Sequence, residues 1–394
     1  MDRDQASTMM TKALKGFHGK FKAMYGQLCV RVDSKTFLSS GGNKILAEIT
    51  EDSYELCDIN SGELGEIFTK RSDINAILFG CSPDAVAVSK KSDTVPVTLE
   101  DLARLTGSEL KVIPDASAAS ILGALSNSSV CLIKGTGIIA AGTNCRKAVA
   151  GAQIVEKACE AEIHGEMLGG TVPIEKALAD TFRKDFISDY INRNEKPLAE
   201  YVEYDEEEFA VRGSIIDHGK ALVKRDLSYG SWGNLSVRLN DNEMLITPSS
   251  MDYFDIKVED IVKVDIHTLE YGNQRIPSTE FRMHAAAYRE FPDCKAIIQT
   301  RSNAISVFAA CEAGFTLGEG ELQELIGDIK VTGYAAPGSD ELADAVVSTF
   351  KDTHACIIPH HGAVFYGPSL EVVLAIAEAV EMRARNMLSF DSGL

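Results

Sequence analysis

Residues 276–302 read IPSTEFRMHAAAYREFPDCKAIIQTRS, and they combine a helix start, a buried strand and a cluster of polar side chains. Pro277 ends what precedes it, Ser278 or Thr279 can cap a helix, and the first turn offers open N–H groups and the positive dipole end to an anion. Glu280 lies in that turn. His284 and Tyr288 follow one and two turns later on the same helix face, so a carboxylate able to move a proton stands beside the anion position. After the helix, the apolar run Ala296-Ile297-Ile298 predicts a buried strand. At its exit Gln299 and Arg301 flank Thr300, and alternation sends their side chains to the same side.

Working outward, the chain has 394 residues, enough for two or three domains, with 45% hydrophobic and 25% charged residues. This is the composition of an ordinary globular chain able to bury sizeable cores. A formal charge of −19 argues against nucleic acid or an anionic membrane surface as partner, because such partners are held by excess Lys and Arg. The nine cysteines contain no C-x-x-C pair and sit mostly in apolar strands such as Val130-Cys131-Leu132 and Ala355-Cys356-Ile357. That pattern predicts reduced, buried thiols. The N-terminus lacks an apolar stretch of signal-peptide length, and no run of about 18 apolar residues occurs, so a cytoplasmic location is expected.

The same comparison of segments reveals a duplication. Gly26-Gln27-Leu28-Cys29-Val30-Arg31-Val32 aligns with Gly233-Asn234-Leu235-Ser236-Val237-Arg238-Leu239 at an offset of 207, and Asp58 falls on Asp265 in that register. Asp73–Ser82 aligns with Asp293–Ser302 at an offset of 220, and Cys131–Ile138 with Cys356–Ala363 at 225. Thr136 then stands where His361 stands, and both copies continue into a helix through Glu156 and Glu381. The first copy is shorter by 13 residues around the Glu280 helix and its preceding loop, and has no evident counterpart of the phosphate-capping segment or of the acid. Amphipathic helices are expected over 8–25 and Phe209–Tyr229, a helical extension broken by Gly169-Gly170 and Pro173 over 161–200, and an acidic hinge at Glu203–Glu208. These place one boundary near 205: a domain over 1–205 and another over 206–394.

At this point the residues resemble a known family, the class II aldolase/adducin family of sugar-phosphate aldolases. Gly233-Asn234-Leu235-Ser236 is similar to its G-N-x-S phosphate turn, Leu245–Ser250 to its second phosphate loop, Pro277–Glu280 to the segment bearing its acid/base Glu, and His360-His361-Gly362 to its late H-G motif. The resemblance implies two tandem α/β/α domains with mainly antiparallel central sheets, the first degenerate. It implies phosphate contacts from Gly233, Asn234, Ser249, Ser250, Ser278 and Thr279, an acid/base role for Glu280, and a zinc ligand at His361. Where the family carries H-x-H, this chain has Gln299-Thr300-Arg301, and the first copy has Phe79, Cys81 and Thr136 at the three ligand places. Zinc wants three or four N, S or carboxylate ligands, so no tightly bound cofactor is expected, and zinc or another divalent metal is disfavoured.

Each position also has a plainer reading. Glu280 suits a helix N-terminus, worth about 0.5 kcal/mol to the fold; His284 and Tyr288 are a packed histidine and aromatic; His360-His361 belong to a tight turn; Trp232 shields the phosphate turn or packs. Ser40-Gly41-Gly42-Asn43 makes an anion nest or a hairpin turn, and Lys134-Gly135-Thr136-Gly137 lacks the spacing of a nucleotide loop. Two functions remain open. One is an enzyme that binds a small phosphorylated sugar or aldehyde and carries out aldol cleavage or enolisation with Glu280, Arg301 replacing the metal as the cation for an oxyanion. The other is a non-catalytic, adducin-head-like binding or interaction module. Because the family's aldolases form rings with sites between subunits, a homo-oligomer, a dimer of tandem chains, is expected.

Overall fold

The computed structural model describes residues 1–17, 21, 23–42, 44–188, 204–272 and 275–388. The chain folds as two compact units, one of Met1–Ile163 with Pro173–Phe186, the other of His164–Val172 with Ile187–Leu394. Asn43 of the proposed nest, and residues 189–203 of the expected extension and hinge, lie outside the described residues.

In the first unit the strands are β1 (Tyr25–Arg31), β2 (Thr36–Ser39), β3 (Lys44–Ile45), β4 (Glu55–Asp58), β5 (Ala76–Cys81), β6 (Thr94–Pro96), β7 (Glu109–Ile113), β8 (Val130–Ile133) and β9 (Gly137–Gly142). They run β4-β2-β1-β5-β9-β8-β7-β6, with β3 beside β1. Among the described strands of this unit only the β7–β8 pair is parallel. The helices are α1 (Arg3–Leu14), α2 (Gly62–Lys70), α3 (Pro83–Lys91), α4 (Glu100–Thr106), α5 (Ala118–Ala124), α6 (Cys145–His164) and α7 (Lys176–Ser188). Ile67 and Phe68 of α2 and Ile121 of α5 share a core with Cys29, Ile77, Cys131 and Ile139, alternate residues of four strands. The first helix is shorter than the apolar spacing over 8–25 predicts. Asp2 accepts the Gln5 N–H and the Gln5 side chain returns the bond to the Asp2 N–H, which fixes the start, while Phe17, Phe21 and Met24 are buried beyond the helix on the way into β1.

The second unit carries α8 (Glu206–Lys224), β10 (Asn234–Arg238), β11 (Glu243–Ile246), β12 (Val262–Asp265), α9 (Phe281–Glu290), β13 (Ala296–Thr300), α10 (Asn303–Ala310), α11 (Glu321–Ile326), β14 (Lys330–Val331), α12 (Asp340–Phe350), β15 (Ala355–Ile358), β16 (Gly362–Gly367) and α13 (Leu370–Met387). Its sheet order, β12-β11-β10-β13-β16-β15-β14, repeats the run β4-β2-β1-β5-β9-β8-β7 of the first unit, which adds β6 and β3, and again one described pair, β14–β15, is parallel. The duplication is therefore one of topology as well as of sequence. Met283 and Tyr288 of α9 and Leu342, Val346 and Phe350 of α12 pack on Ile297, Cys356 and Val364 of the sheet. Helices α10 and α13 cover the other face, completing a helix–sheet–helix sandwich.

One local expectation changes. The acidic run before 209 is a helix start: Asp205 accepts the Glu208 N–H at 2.8 Å, and Glu206, Glu207 and Glu208 occupy the first turn, where the helix dipole favours negative charge. The first copy also keeps the helix after its fourth strand. Asp58 of β4 and Gly62 of α2 are close in sequence, whereas Asp265 of β12 and Phe281 of α9 are far apart. What the first copy lacks is the loop, not the helix.

Candidate active site in the second unit

Strand pairing sets the floor of the site. Asn234 at the start of β10 lies directly opposite Gln299 of β13, and the Asn234 Nδ2 donates to Gln299 Oε1 at 2.5 Å. Gly233 makes this approach possible, because its φ is +76° and a Cβ there would stand 2.7 Å from the Gln299 carbonyl oxygen. The first copy repeats the device at Gly26, where a Cβ would stand 1.9 Å from the Phe79 carbonyl oxygen. The glycine of the G-N-x-S turn thus serves strand packing, a role that survives without the site. Two residues on, Ser236 Oγ lies 2.6 Å from His284 Nδ1 and 2.7 Å from Tyr288 Oη. His284 and Tyr288 are therefore core residues tying α9 to the sheet. Burial drives the His284 pKa down to about 3 and pushes the Tyr288 phenol well above its ordinary range.

The two loops expected to hold a phosphate pair with each other. Ser249 N–H donates to the Ile276 carbonyl and Ser278 N–H to the Thr247 carbonyl, each at 2.9 Å, with Pro248 and Pro277 bridged between them. Those N–H groups are engaged, and the Phe281 N–H donates to the Ser278 carbonyl. The expectation that Ser278 or Thr279 caps the helix is corrected by what holds the cap position. Residue Glu280 itself holds the cap position and no side chain caps the first turn. Four hydroxyls stand at the same place: Ser249 and Ser278 are buried, Ser250 adopts φ +56°, and Thr279 is half-buried.

Glu280, 2% exposed, accepts the Gly338 N–H on Oε2 at 3.1 Å, and its Oε1 lies 3.6 Å from His361 Nε2. Gly338 (φ +75°) is needed there, since a Cβ would meet the Thr279 carbonyl oxygen at 2.9 Å. Arg301, 5% exposed, follows β13 and donates from Nη2 to His361 Nε2 at 2.8 Å. Its guanidinium carbon lies 5.4 Å from the centre of the Trp232 ring, so Trp232 packs on the cation. Neighbouring His360 takes φ +61° in the turn, 3.3 Å from the Glu312 carboxylate and edge-on to Tyr334. Of the paired histidines, His361 alone is brought to Glu280 and Arg301.

A family-type metal would need His361 and the residues at 299 and 301 as ligands. The donor set does not fit. Arg301 brings a positive charge and no lone pair, Gln299 offers a neutral amide, and the His361 Nε2 lone pair receives the Arg301 N–H. In the first copy, Phe79 belongs to the apolar core, Cys81 is exposed and Thr136 sits in the β8–β9 turn. None forms a site. Lys134 of that turn pairs with Asp93 at 2.9 Å, consistent with a hairpin and no nucleotide loop. Sequence reasoning missed Gly338, whose signal, a Pro-Gly pair before a capped helix, marked only a turn.

With this geometry in hand, comparison with known proteins adds two findings. The family described as Class II Aldolase and Adducin N-terminal domain matches residues 10–163 and again 214–388. Among individual proteins, the chain is 32% identical over 174 residues to a 5-methylthioribulose-1-phosphate/5-deoxyribulose-1-phosphate aldolase of Rhodospirillum rubrum, covering 44% of this chain and 77% of that one. It is 33% identical over 178 residues to an L-fuculose phosphate aldolase of Haemophilus influenzae, covering 43% and 78%. A solved L-fuculose 1-phosphate aldolase aligns at 32% identity with a TM-score of 0.44, over 47% of this chain and 88% of that one. Since the family match takes in most of each half, the chain belongs to the class II aldolase and adducin family, as two tandem copies.

Proposed function

We propose that the second unit binds a small phosphorylated sugar or aldehyde and moves a proton next to its carbonyl group. The hydroxyls of Ser249, Ser250, Ser278 and Thr279 take the phosphate, with Gly233 and Asn234 at its edge, and Glu280 is the proton carrier. The observation that carries this reading is the pairing of two hydroxyl-bearing loops directly beside a buried, backbone-anchored carboxylate. Both relatives described above are named as aldolases of phosphorylated sugars, which suits it. In the proton transfer, Glu280 accepts the proton from the carbon beside the carbonyl, the electron pair left behind forms a carbon–carbon double bond, and the carbonyl oxygen becomes an oxyanion. That oxyanion needs a cation or strong donor, for which Arg301 is in place.

A second reading, binding without turnover, is favoured by the loss of ligand residues in both copies. Titration calorimetry with L-fuculose 1-phosphate and 5-deoxyribulose 1-phosphate, with and without added zinc, tests binding. Proton NMR of dihydroxyacetone phosphate in heavy water tests enolisation. Heat of binding with loss of a carbon-bound proton signal is the expected result; binding with no exchange selects the second reading, and no binding of any phosphorylated sugar removes both. No described helix is long and apolar enough to cross a membrane. The burial of most cysteines inside strands and helices suits the cytoplasm as the proposed location, and a dimer of tandem chains as the proposed assembly follows from the family's ring geometry.

A further inference from the structure

Gln299 and Arg301 stand where the family pattern has metal ligands, yet they are not blanks. The Asn234–Gln299 amide pair is buried, Asn234 at 4% and Gln299 at 0% exposure. With Asn234 Nδ2 donating to Gln299 Oε1, one acceptor, Asn234 Oδ1, and one donor, Gln299 Nε2, have no partner among the described residues. The assignment of nitrogen and oxygen does not matter to this count: turning both amides over makes Gln299 the donor and leaves Asn234 Nδ2 and Gln299 Oε1 open, again one donor and one acceptor. Buried polar groups left in that state are costly unless something completes them. A hydroxyl group, which both donates and accepts, matches the pair.

Orientation brings the guanidinium to the same ligand. Ile297 packs with Met283 and Tyr288 of α9, and Ser236 contacts His284 and Tyr288 of that helix. Alternation along β13 and β10 then puts Gln299, Arg301 and Asn234 on this face, the face at whose end Glu280 begins α9. Side chains two residues apart on a strand stand about 7 Å apart. Two oxygens on adjacent carbons, each about 2.9 Å from its protein partner, span that gap.

Resting on the proposed function above, we infer that Asn234, Gln299 and Arg301 form a metal-free site for a hydroxy-carbonyl group. The amide pair takes the hydroxyl, and the Arg301 guanidinium, oriented by His361 and backed by Trp232, takes the neighbouring carbonyl oxygen. The ligand class is a phosphorylated α-hydroxy ketone, held without the chelated cation that such a group would otherwise need. Arg301 and Gln299 touch the ligand; His361 is a positioning residue.

The test uses the full chain in the presence of EDTA and three probes: dihydroxyacetone phosphate, acetol phosphate, which differs only by lacking the free hydroxyl, and inorganic phosphate. Dihydroxyacetone phosphate should bind at least about tenfold tighter than acetol phosphate. In Gln299→Leu that ratio should fall toward one, while inorganic phosphate affinity stays within about twofold. Arg301→Gln should weaken both ketones relative to inorganic phosphate, and Arg301→Lys should restore part of the loss. Equal binding of the two ketones by the natural protein overturns the inference without any variant, as does binding that EDTA abolishes and zinc restores. Failure of all three probes to bind removes the phosphate reading and this inference with it, whereas phosphate binding with no preference among ketones removes the inference alone.

Discussion

His284 is a histidine in a setting where its charge is suppressed: fully buried, its Nδ1 held by Ser236, and its pKa driven down from 6.5 to about 3 by burial. The sign of the consequence follows from linkage. Between pH 6.5 and about 3 the unfolded chain binds a proton that the folded chain refuses, so stability from this residue is full above 6.5 and is lost as pH falls through that window. The slope approaches about 1.4 kcal/mol per pH unit. His284→Gln keeps a hydrogen-bonding group for Ser236 and removes the titration. Urea midpoints measured from pH 6.5 to 4.5 should therefore fall more steeply for the natural protein than for the variant; parallel curves would show that His284 is protonated in the folded state. Residue chemistry of this kind was half legible in the sequence. The spacing of Glu280, His284 and Tyr288 put them on one helix face, but spacing alone does not say that the face turns from site to core within one turn, which the contact with Ser236 decides.

At the scale of elements, the same turn recurs with and without chemistry. Gly362 takes φ +136° and a Cβ on it would lie 2.2 Å from the Thr300 carbonyl oxygen; Gly137 takes φ +150° and a Cβ would lie 2.2 Å from that of Gly80. The H-G motif thus joins a structural glycine to the histidine that meets Glu280 and Arg301, and the first copy has the glycine with Thr136 in the place of the histidine. Gly137→Ala and Gly362→Ala should each destabilise the protein by about 1–3 kcal/mol, read from denaturant midpoints. A neutral Gly137→Ala would mean that the first copy's hairpin is free to relax. Glu156 and Glu381 show the same survival. Glu381 accepts the Ala304 and Ile305 N–H groups at the start of α10, and Glu156 pairs with Ser82, the cap of α3. The duplication was legible because these anchors recur at fixed offsets. Helix limits were not: apolar spacing over 8–25 continues past the helix into residues buried for other reasons, and an acidic run looks alike as hinge and as helix start.

Across the whole molecule, two copies of one topology have drifted unequally. The first lacks the ligand residues of the family pattern and the long loop before its second helix, yet retains a full sheet and core. The account expects a dimer of chains, and light scattering at micromolar concentration should give about twice the 42.6 kDa chain mass; a stable particle of single-chain mass would contradict that assembly. The central claim is narrower, that the second unit retains the family site with an arginine in the place of the metal. Zinc content after dialysis tests it most directly, compared across the natural protein, His361→Ala and the double change Gln299→His with Arg301→His. The account predicts that His361→Ala leaves the zinc content of the natural protein unchanged, while the double variant gains about one zinc per chain by freeing His361 Nε2 and supplying two imidazoles beside it. Zinc in the natural protein that disappears with His361→Ala would contradict it.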